Sequence, residues 1–328
     1  MLQLSSTTLP SSYDAAAAPI GSIRVLLAAP RGFCAGVVRA IDAVRAAIAK
    51  HGAPVYVRRP IVHNLEVVRT LEAEGAVFVE ELDEVPAGGV VIFSAHGVSP
   101  QIASDADAHG LTSYDAICPL VAKVHREVER HGLAGRTVIL IGHDGHPEIE
   151  GTLGHAANGS AVVVRTVDDV AALPLPSAMP TAYAIQTTYS VDEAQRVVDA
   201  LRAKFQDLVG PPSSDICYAT TNRQAATRAI AERADTVIVV GEHFSSNACR
   251  LAEVARDHCA SVQLVPTAKD IDWRQLPRDG IVGISAAAST PEASVQAVVS
   301  ALGARYQVSV DELESSRESA VFKPLELM

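Results

Sequence analysis

Short aliphatic runs recur along this chain, and most are apolar from end to end instead of alternating with polar residues. They are Ile23–Ala29, Pro54–Arg58, Val90–Ser94, Thr137–Ile141, Ala161–Arg165, Ala182–Gln186, Thr236–Val240, Ser261–Val265 and Ile281–Ser285. Between many of them lie stretches with helical periodicity, such as Val37–Lys50, Ala122–His131, Asp192–Phe205, Gln224–Arg233 and Asn247–Asp257. A strand apolar on both faces must be covered on both faces, which parallel sheets flanked by helices achieve. The expected class is therefore α/β. At roughly 150 residues per domain, 328 residues make room for two or three such units.

Several function classes drop out early. A net charge of −11 argues against a nucleic-acid binder, which needs a basic face to neutralise phosphates. No apolar run approaches the ~20 residues that span a bilayer, so no membrane association is expected. The first 22 residues contain no Lys or Arg, which fits neither a secretory signal nor a transit peptide. They read as a mobile tail. Five cysteines, none in a C-x-x-C pair, do not suggest a disulfide framework or a compact zinc knuckle. A cytoplasmic enzyme is the expectation.

Three of the cysteines stand at turns that open helices: Pro30-Arg-Gly-Phe-Cys34-Ala-Gly, Ile117-Cys118-Pro-Leu and Ile216-Cys217-Tyr-Ala-Thr-Thr-Asn222. They are 84 and 99 residues apart, about one small α/β unit each. The chain then divides into a tail 1–22, units 23–117, 118–215 and 216–310, and a C-terminal segment 311–328. A helix N-terminus has spare N–H groups and partial positive charge, which favour a thiolate or a sulfide. Functional residues in open α/β sheets gather at strand carboxyl ends. Three such units facing inward could bring three thiolates to one point. From position alone, three buried cysteines acting as small hydrophobes at turns is an equally open reading.

Polar motifs at strand ends add to the pattern. The first third has Val62-His63-Asn64 and Phe93-Ser-Ala-His96-Gly97. The second has Gly142-His143-Asp-Gly-His146-Pro-Glu148 and Gln186-Thr187-Thr188. The third has Ser245-Ser246-Asn247 and Ser289-Thr290-Pro291. A lone histidine carries little, but three that follow apolar strands beside Gly or Pro are harder to set aside. The Ser245 and Ser289 motifs read as helix N-caps, which would explain them alone, and such termini are also ready anion sites. No Walker loop or G-x-G-x-x-G motif accompanies them.

Taken in order, the segments PRGFCAGVVRAI, YVRRPIVHN, FSAHGVS, ICPLVAKVH, GHDGHPEIEGT, QTTYS, DICYATTNRQ and SSNACRLAE resemble the 4-hydroxy-3-methylbut-2-enyl diphosphate reductase family. That family catalyses the last step of the non-mevalonate isoprenoid route. The likeness runs from about Ile23 to Pro324. It implies three α/β units in pseudo-threefold arrangement around one [4Fe-4S] cluster, with Cys34, Cys118 and Cys217 as its ligands. Cys249 and Cys259 match no ligand motif. With three thiolates, one iron keeps an open position and can act as a Lewis acid.

The resemblance further implies that His63, His96, His146, Ser245, Ser246, Asn247 and Ser289 hold the substrate diphosphate. Glu148 would supply protons, and Thr187 would orient the substrate alcohol or a water. The implied reaction is reductive dehydroxylation to isopentenyl and dimethylallyl diphosphate. No flavin or nicotinamide motif is present, so electrons would come from an external donor such as a ferredoxin or flavodoxin.

Three positions depart from the family's usual pattern: Ala287 stands in place of a Gly, Glu242 in place of a small or basic residue, and Ala248 in place of a Ser. A methyl at Ala287 is expected to narrow the pocket or disturb a strained turn. Glu242 is expected to be unfavourable unless it points away from the diphosphate. Two other readings compete. One is a three-cysteine cluster dehydratase or quinolinate-synthase-like enzyme acting on another small anion. The other is a non-catalytic binder of phosphorylated metabolites with inert structural thiols.

Overall fold

The computed structural model describes residues 19–156 and 160–327. The expected tail lies outside the described residues as far as residue 18. From there Ile20 already donates its N–H to the Arg305 carbonyl at 2.8 Å, and the first strand opens at Ser22.

Three parallel sheets carry the fold. The first contains β2 (Val55–Arg58), β3 (Ala76–Val79), β4 (Val90–Phe93) and β5 (Thr112–Asp115) in the order β3-β2-β4-β5. The second contains β6 (Thr137–Ile141), β7 (Ala161–Val164), β8 (Thr181–Ile185) and β9 (Leu208–Val209) in the order β7-β6-β8-β9. The third contains β10 (Thr236–Val240), β11 (Val262–Val265), β12 (Gly280–Ala286), β1 (Ser22–Ala29) and β13 (Gln307–Glu314) in the order β11-β10-β12-β1-β13. The α/β class and the three-unit plan expected from the sequence are what the chain adopts.

All three sheets follow one pattern, second-first-third-fourth, but in the third sheet the fourth place is filled by the first strand of the chain. The division at 23–117 had grouped β1 with the first unit. Its Ile23–Leu27 instead pair with Gly280–Ile284 of β12, about 257 residues away. An apolar run reveals that a strand is buried, and nothing in it names the neighbour.

This placement explains where the cysteines sit. β1 leaves the third sheet and, through Cys34, enters α1 (Ala35–His51), whose Val37, Ile41 and Val44 pack on Val55, Val57 and Ile92 of the first unit. β5 leaves the first sheet through Cys118 into α4 (Pro119–Leu133), whose Val124 and Val128 pack on Val138 and Leu140 of the second. β9 leaves the second sheet, and Cys217 opens α8 (Tyr218–Ala231), which packs Ala226 and Ile230 on Val237 and Val239 of the third. Each cysteine thus lies on a crossover between two units, and the crossovers meet at the centre.

The remaining helices cover the sheets locally: α2 (Leu65–Glu74), α3 (Pro100–Ala108), α5 (Pro147–Gly154), α6 (Val167–Ala172), α7 (Val191–Lys204), α9 (Ser246–Arg256) and α10 (Glu292–Gly303). β10 is buried at all five positions, as an interior parallel strand must be. None of the described helices is long and apolar enough to cross a membrane.

Residues after β13 run back over the first unit. Leu325 and Leu327 pack against its core, and Arg39 Nε and Lys50 Nζ donate to the carbonyls of Lys323 and Leu327. The strap is tied down by Arg223 of α8, which is 1% exposed. Its guanidinium donates to Glu318 at 2.8 Å, to the Gly32 carbonyl at 2.7 and 2.9 Å and to the Ala219 carbonyl at 3.0 Å. Gly32 stands at φ +65° in the turn before Cys34, and a Cβ there would meet the Thr290 carbonyl oxygen at 3.0 Å. Replacing Arg223 by Met removes the ion pair to Glu318 and both hydrogen bonds to the Gly32 carbonyl. The expected cost is about 3–5 kcal/mol of stability, the range for breaking a buried ion pair from one side. Chemical denaturation checks it, and an unmoved midpoint would mean that the strap holds without this anchor.

Candidate active site

Cys34, Cys118 and Cys217 are the N-cap residues of α1, α4 and α8, so each thiol lies at a positive helix end. The Cys217 sulfur accepts the Thr220 N–H at 3.3 Å and lies 3.2 Å from the Thr220 hydroxyl. All three cysteines line one central cavity, together with His63, His96, His146, Glu148, Thr187, Ser245, Ser246, Asn247 and Ser289. The twelve side chains singled out from the sequence, drawn from all three units, are therefore brought to a single place. Two of the five cysteines are elsewhere: Cys249 donates to the His243 carbonyl, and buried Cys259 to the carbonyls of Ala234 and Ser261.

The polar groups arrive by one structural rule. The first and third strands of every sheet each end at the cavity. After β2 comes His63, after β6 comes His146, and after β10 come Ser245, Ser246 and Asn247. After β4 comes His96, after β8 comes Thr187, and after β12 comes Ser289. The fourth strands deliver the cysteines.

At the histidine end, the ring centroids of His63, His96 and His146 stand 4.2, 5.3 and 5.7 Å apart. His146 Nδ1 accepts the Glu148 backbone N–H at 3.1 Å, which places its proton on Nε2. That Nε2 is buried without a partner, as are both ring nitrogens of His63 and Nδ2 of Asn247. The Asn247 Oδ1 already accepts the Ala288 N–H at 2.9 Å, so only its amide donor is free. Unmet buried donors are costly, and several around one cavity suit a ligand rich in acceptor oxygens. Burial holds His63 down to about 4 and His146 to about 3, and keeps His96 well below the ordinary range. Burial therefore favours the uncharged form of all three rings near neutral pH.

Glu148 is 2% exposed, on the first turn of α5. Its two carboxyl oxygens accept the Thr187 N–H at 2.6 Å and the Thr187 hydroxyl at 2.8 Å. Burial raises its pKa to about 7, overriding those two hydrogen bonds, and nearby Asp215 adds to the effect. A carboxyl that is half protonated near neutrality is poised for proton transfer.

At the cysteine end, burial pushes Cys118 up to about 12 and Cys217 to about 11. No Lys or Arg is among the described residues lining the cavity to offset that burial for Cys118 and Cys217. Gly36 lets them approach, since a Cβ at that position would lie 2.8 Å from the Cys118 sulfur and 3.8 Å from that of Cys34. Among the described residues no three His, Cys, Asp or Glu are placed to hold a single metal ion.

The departures resolve simply. Ala287 and Ala248 are fully buried and crowd Gly241, where a Cβ would meet theirs at 3.1 and 2.7 Å, and neither lines the cavity. The expected narrowing at Ala287 does not occur. Glu242 points away and accepts the Leu65 N–H. Residues missed from the sequence include Thr220, Gly36 and Gln186. Thr220 was visible in principle as the third residue after an N-cap cysteine. Gln186 donates to Thr188 and accepts from the His143 backbone, and Thr188 in turn donates to Ser246 of the third unit, a network that only tertiary packing creates.

Comparison with known proteins places the chain. The family model described as LytB protein matches residues 25–303. A protein of Methylocella silvestris named 4-hydroxy-3-methylbut-2-enyl diphosphate reductase is 50% identical over 305 residues, covering 92% of this chain and 95% of that relative. One of the same name from Ruegeria pomeroyi is 51% identical over 302 residues, covering 92% and 96%. The solved structure of E-1-hydroxy-2-methyl-but-2-enyl-4-diphosphate reductase from Plasmodium falciparum superposes with a TM-score of 0.87 at 38% identity, covering 93% of this chain and 96% of that one. Matched over most of its length in both sequence and fold, the chain belongs to the LytB protein family.

Proposed function

We propose that this chain is a 4-hydroxy-3-methylbut-2-enyl diphosphate reductase, which removes the substrate's hydroxyl reductively and yields isopentenyl and dimethylallyl diphosphate. This is the last step of the non-mevalonate isoprenoid pathway. The observation that carries the reading is the two-ended cavity, with three thiols at one end, unpartnered donors at the other, and Glu148 within the same lining.

The thiols fit an iron–sulfur group. They are soft donors from three crossovers, with helix N-termini behind them and Gly36 leaving room. We assign one [4Fe-4S] cluster to Cys34, Cys118 and Cys217. When bound, it supplies electrons and a Lewis-acidic iron to the substrate.

The chain's own residues do the rest. His63, His96, His146, Ser245, Ser246, Asn247 and Ser289 are assigned to the diphosphate. Its oxygens would take up the free donors of His146 Nε2 and Asn247 Nδ2, and its charge would favour protonation of the neutral rings. Thr187 fixes the Glu148 carboxyl through two hydrogen bonds. A proton held on Glu148 can pass to the Thr187 hydroxyl, whose own hydrogen then turns to the cavity. This would assist departure of the hydroxyl as water. Of the two protons the reduction consumes, one would leave with the hydroxyl as water. The second would be delivered to one of two allylic carbons, giving the two products, while burial of the site limits access of bulk water. The electrons are assigned to an external ferredoxin or flavodoxin, and the enzyme to the cytoplasm.

The test is anaerobic turnover of cluster-loaded protein, following oxidation of a reduced viologen on addition of 4-hydroxy-3-methylbut-2-enyl diphosphate. Substrate-dependent oxidation with both products formed is the expected result. Substrate consumption without dye oxidation would move the assignment to a non-redox dehydratase.

A further inference from the structure

His63 has no hydrogen-bond partner on either ring nitrogen, so its placement depends on what holds the surrounding chain. It sits just before Asn64, the N-cap of α2, whose side chain accepts the Val67 N–H at 3.0 Å. Another free donor of that helix end, the Leu65 N–H, is met from a different unit: Glu242 accepts it at 3.2 Å. Glu242 is 8% exposed, on the loop between β10 and α9. Two residues on, Phe244 sets its ring edge-on to His63, with centroids 5.8 Å apart. Ser289, also of the third unit, donates to the His63 carbonyl at 3.0 Å. Three groups of the third unit thus grip residues 63–65 of the first.

We propose that Glu242, together with Phe244, is a positioning residue that clasps the His63 arm to the third unit and so completes the diphosphate end of the cavity. Its carboxylate faces a positive helix terminus, which suits the charge and turns it away from the bound anion. The inference rests on the diphosphate reading of the site. It adds that a residue outside the cavity lining governs the affinity of that site.

The experiment uses cluster-loaded protein under anaerobic conditions, with inorganic diphosphate as the probe in calorimetry. It is joined to steady-state kinetics and to hydrogen exchange of the peptide spanning α2. In Glu242→Ala, diphosphate binding is expected to weaken about tenfold, the loss is expected in KM rather than kcat, and α2 amides are expected to exchange faster. Glu242→Gln keeps the acceptor oxygen and is expected to stay within about threefold of the unmodified protein. Equal or tighter diphosphate binding by Glu242→Ala, or a glutamine variant as weak as the alanine one, would overturn the clasp. If the unmodified holoprotein binds no diphosphate, the reading of the site fails first and the clasp falls with it.

Discussion

Glu148→Gln is expected to lower turnover by about 10²–10⁴-fold while leaving cluster content unchanged, the loss typical of removing a positioned general acid. Gln matches Glu in shape, and its carbonyl can still accept the Thr187 N–H that Glu148 now takes at 2.6 Å. What disappears is the proton. Retention of more than a tenth of the activity at full iron content would remove Glu148 from the mechanism. The pH dependence has a definite sign. Burial raises the Glu148 pKa to about 7, so the acid form dominates below that value, and turnover should fall as pH rises through it. Stability follows the same proton. Between the ordinary value of 4.5 and about 7, the folded protein holds a proton that the unfolded chain has lost. The contribution is fully present below 4.5 and is lost as pH climbs towards 7, to a total of about 3 kcal/mol. Denaturation midpoints measured from pH 4.5 to 8 should therefore decline more steeply for the unmodified protein than for Glu148→Gln.

The second large effect is expected at the cysteines. Serine at Cys34, Cys118 or Cys217 should each abolish substrate-dependent turnover and strip bound iron and sulfide, because a serine hydroxyl stays protonated and is a hard donor to iron. Burial that already pushes the Cys118 thiol to about 12 would penalise an alkoxide further. Cys259→Ser is the control. Its sulfur donates to the Ala234 and Ser261 carbonyls, away from the cavity, and a hydroxyl can replace it there. Iron and sulfide analysis with turnover reads all four variants. Full iron and full activity in any of the three cavity variants would overturn the ligand assignment.

Much of this was readable in the residues. The nine apolar runs correspond to the nine strands β1, β2, β4, β6, β7, β8, β10, β11 and β12. The four strands outside that set, β3, β5, β9 and β13, all lie at sheet edges. An edge strand is covered less completely, so its sequence need not be apolar. Thr112–Asp115 and Gln307–Glu314 are largely polar for that reason. The motifs at the strand ends were equally legible, since a helix N-cap, a Pro at the first helical position and a Gly in a tight turn are chemical requirements of a few adjacent residues.

Local chemistry, then, was determined by the sequence alone: which runs are strands, which residues cap helices, and which side chains are too polar to be buried without a reason. Tertiary structure decided everything that depends on partners far apart in the chain. It put β1 beside β12, turned Glu242 onto the end of α2, made a network of His143, Gln186 and Thr188, and lifted Glu148 to a working pKa. Strand order and desolvation are properties of what packs against a residue, and residues distant in the chain, from Thr187 beside Glu148 to β12 beside β1, supply that packing.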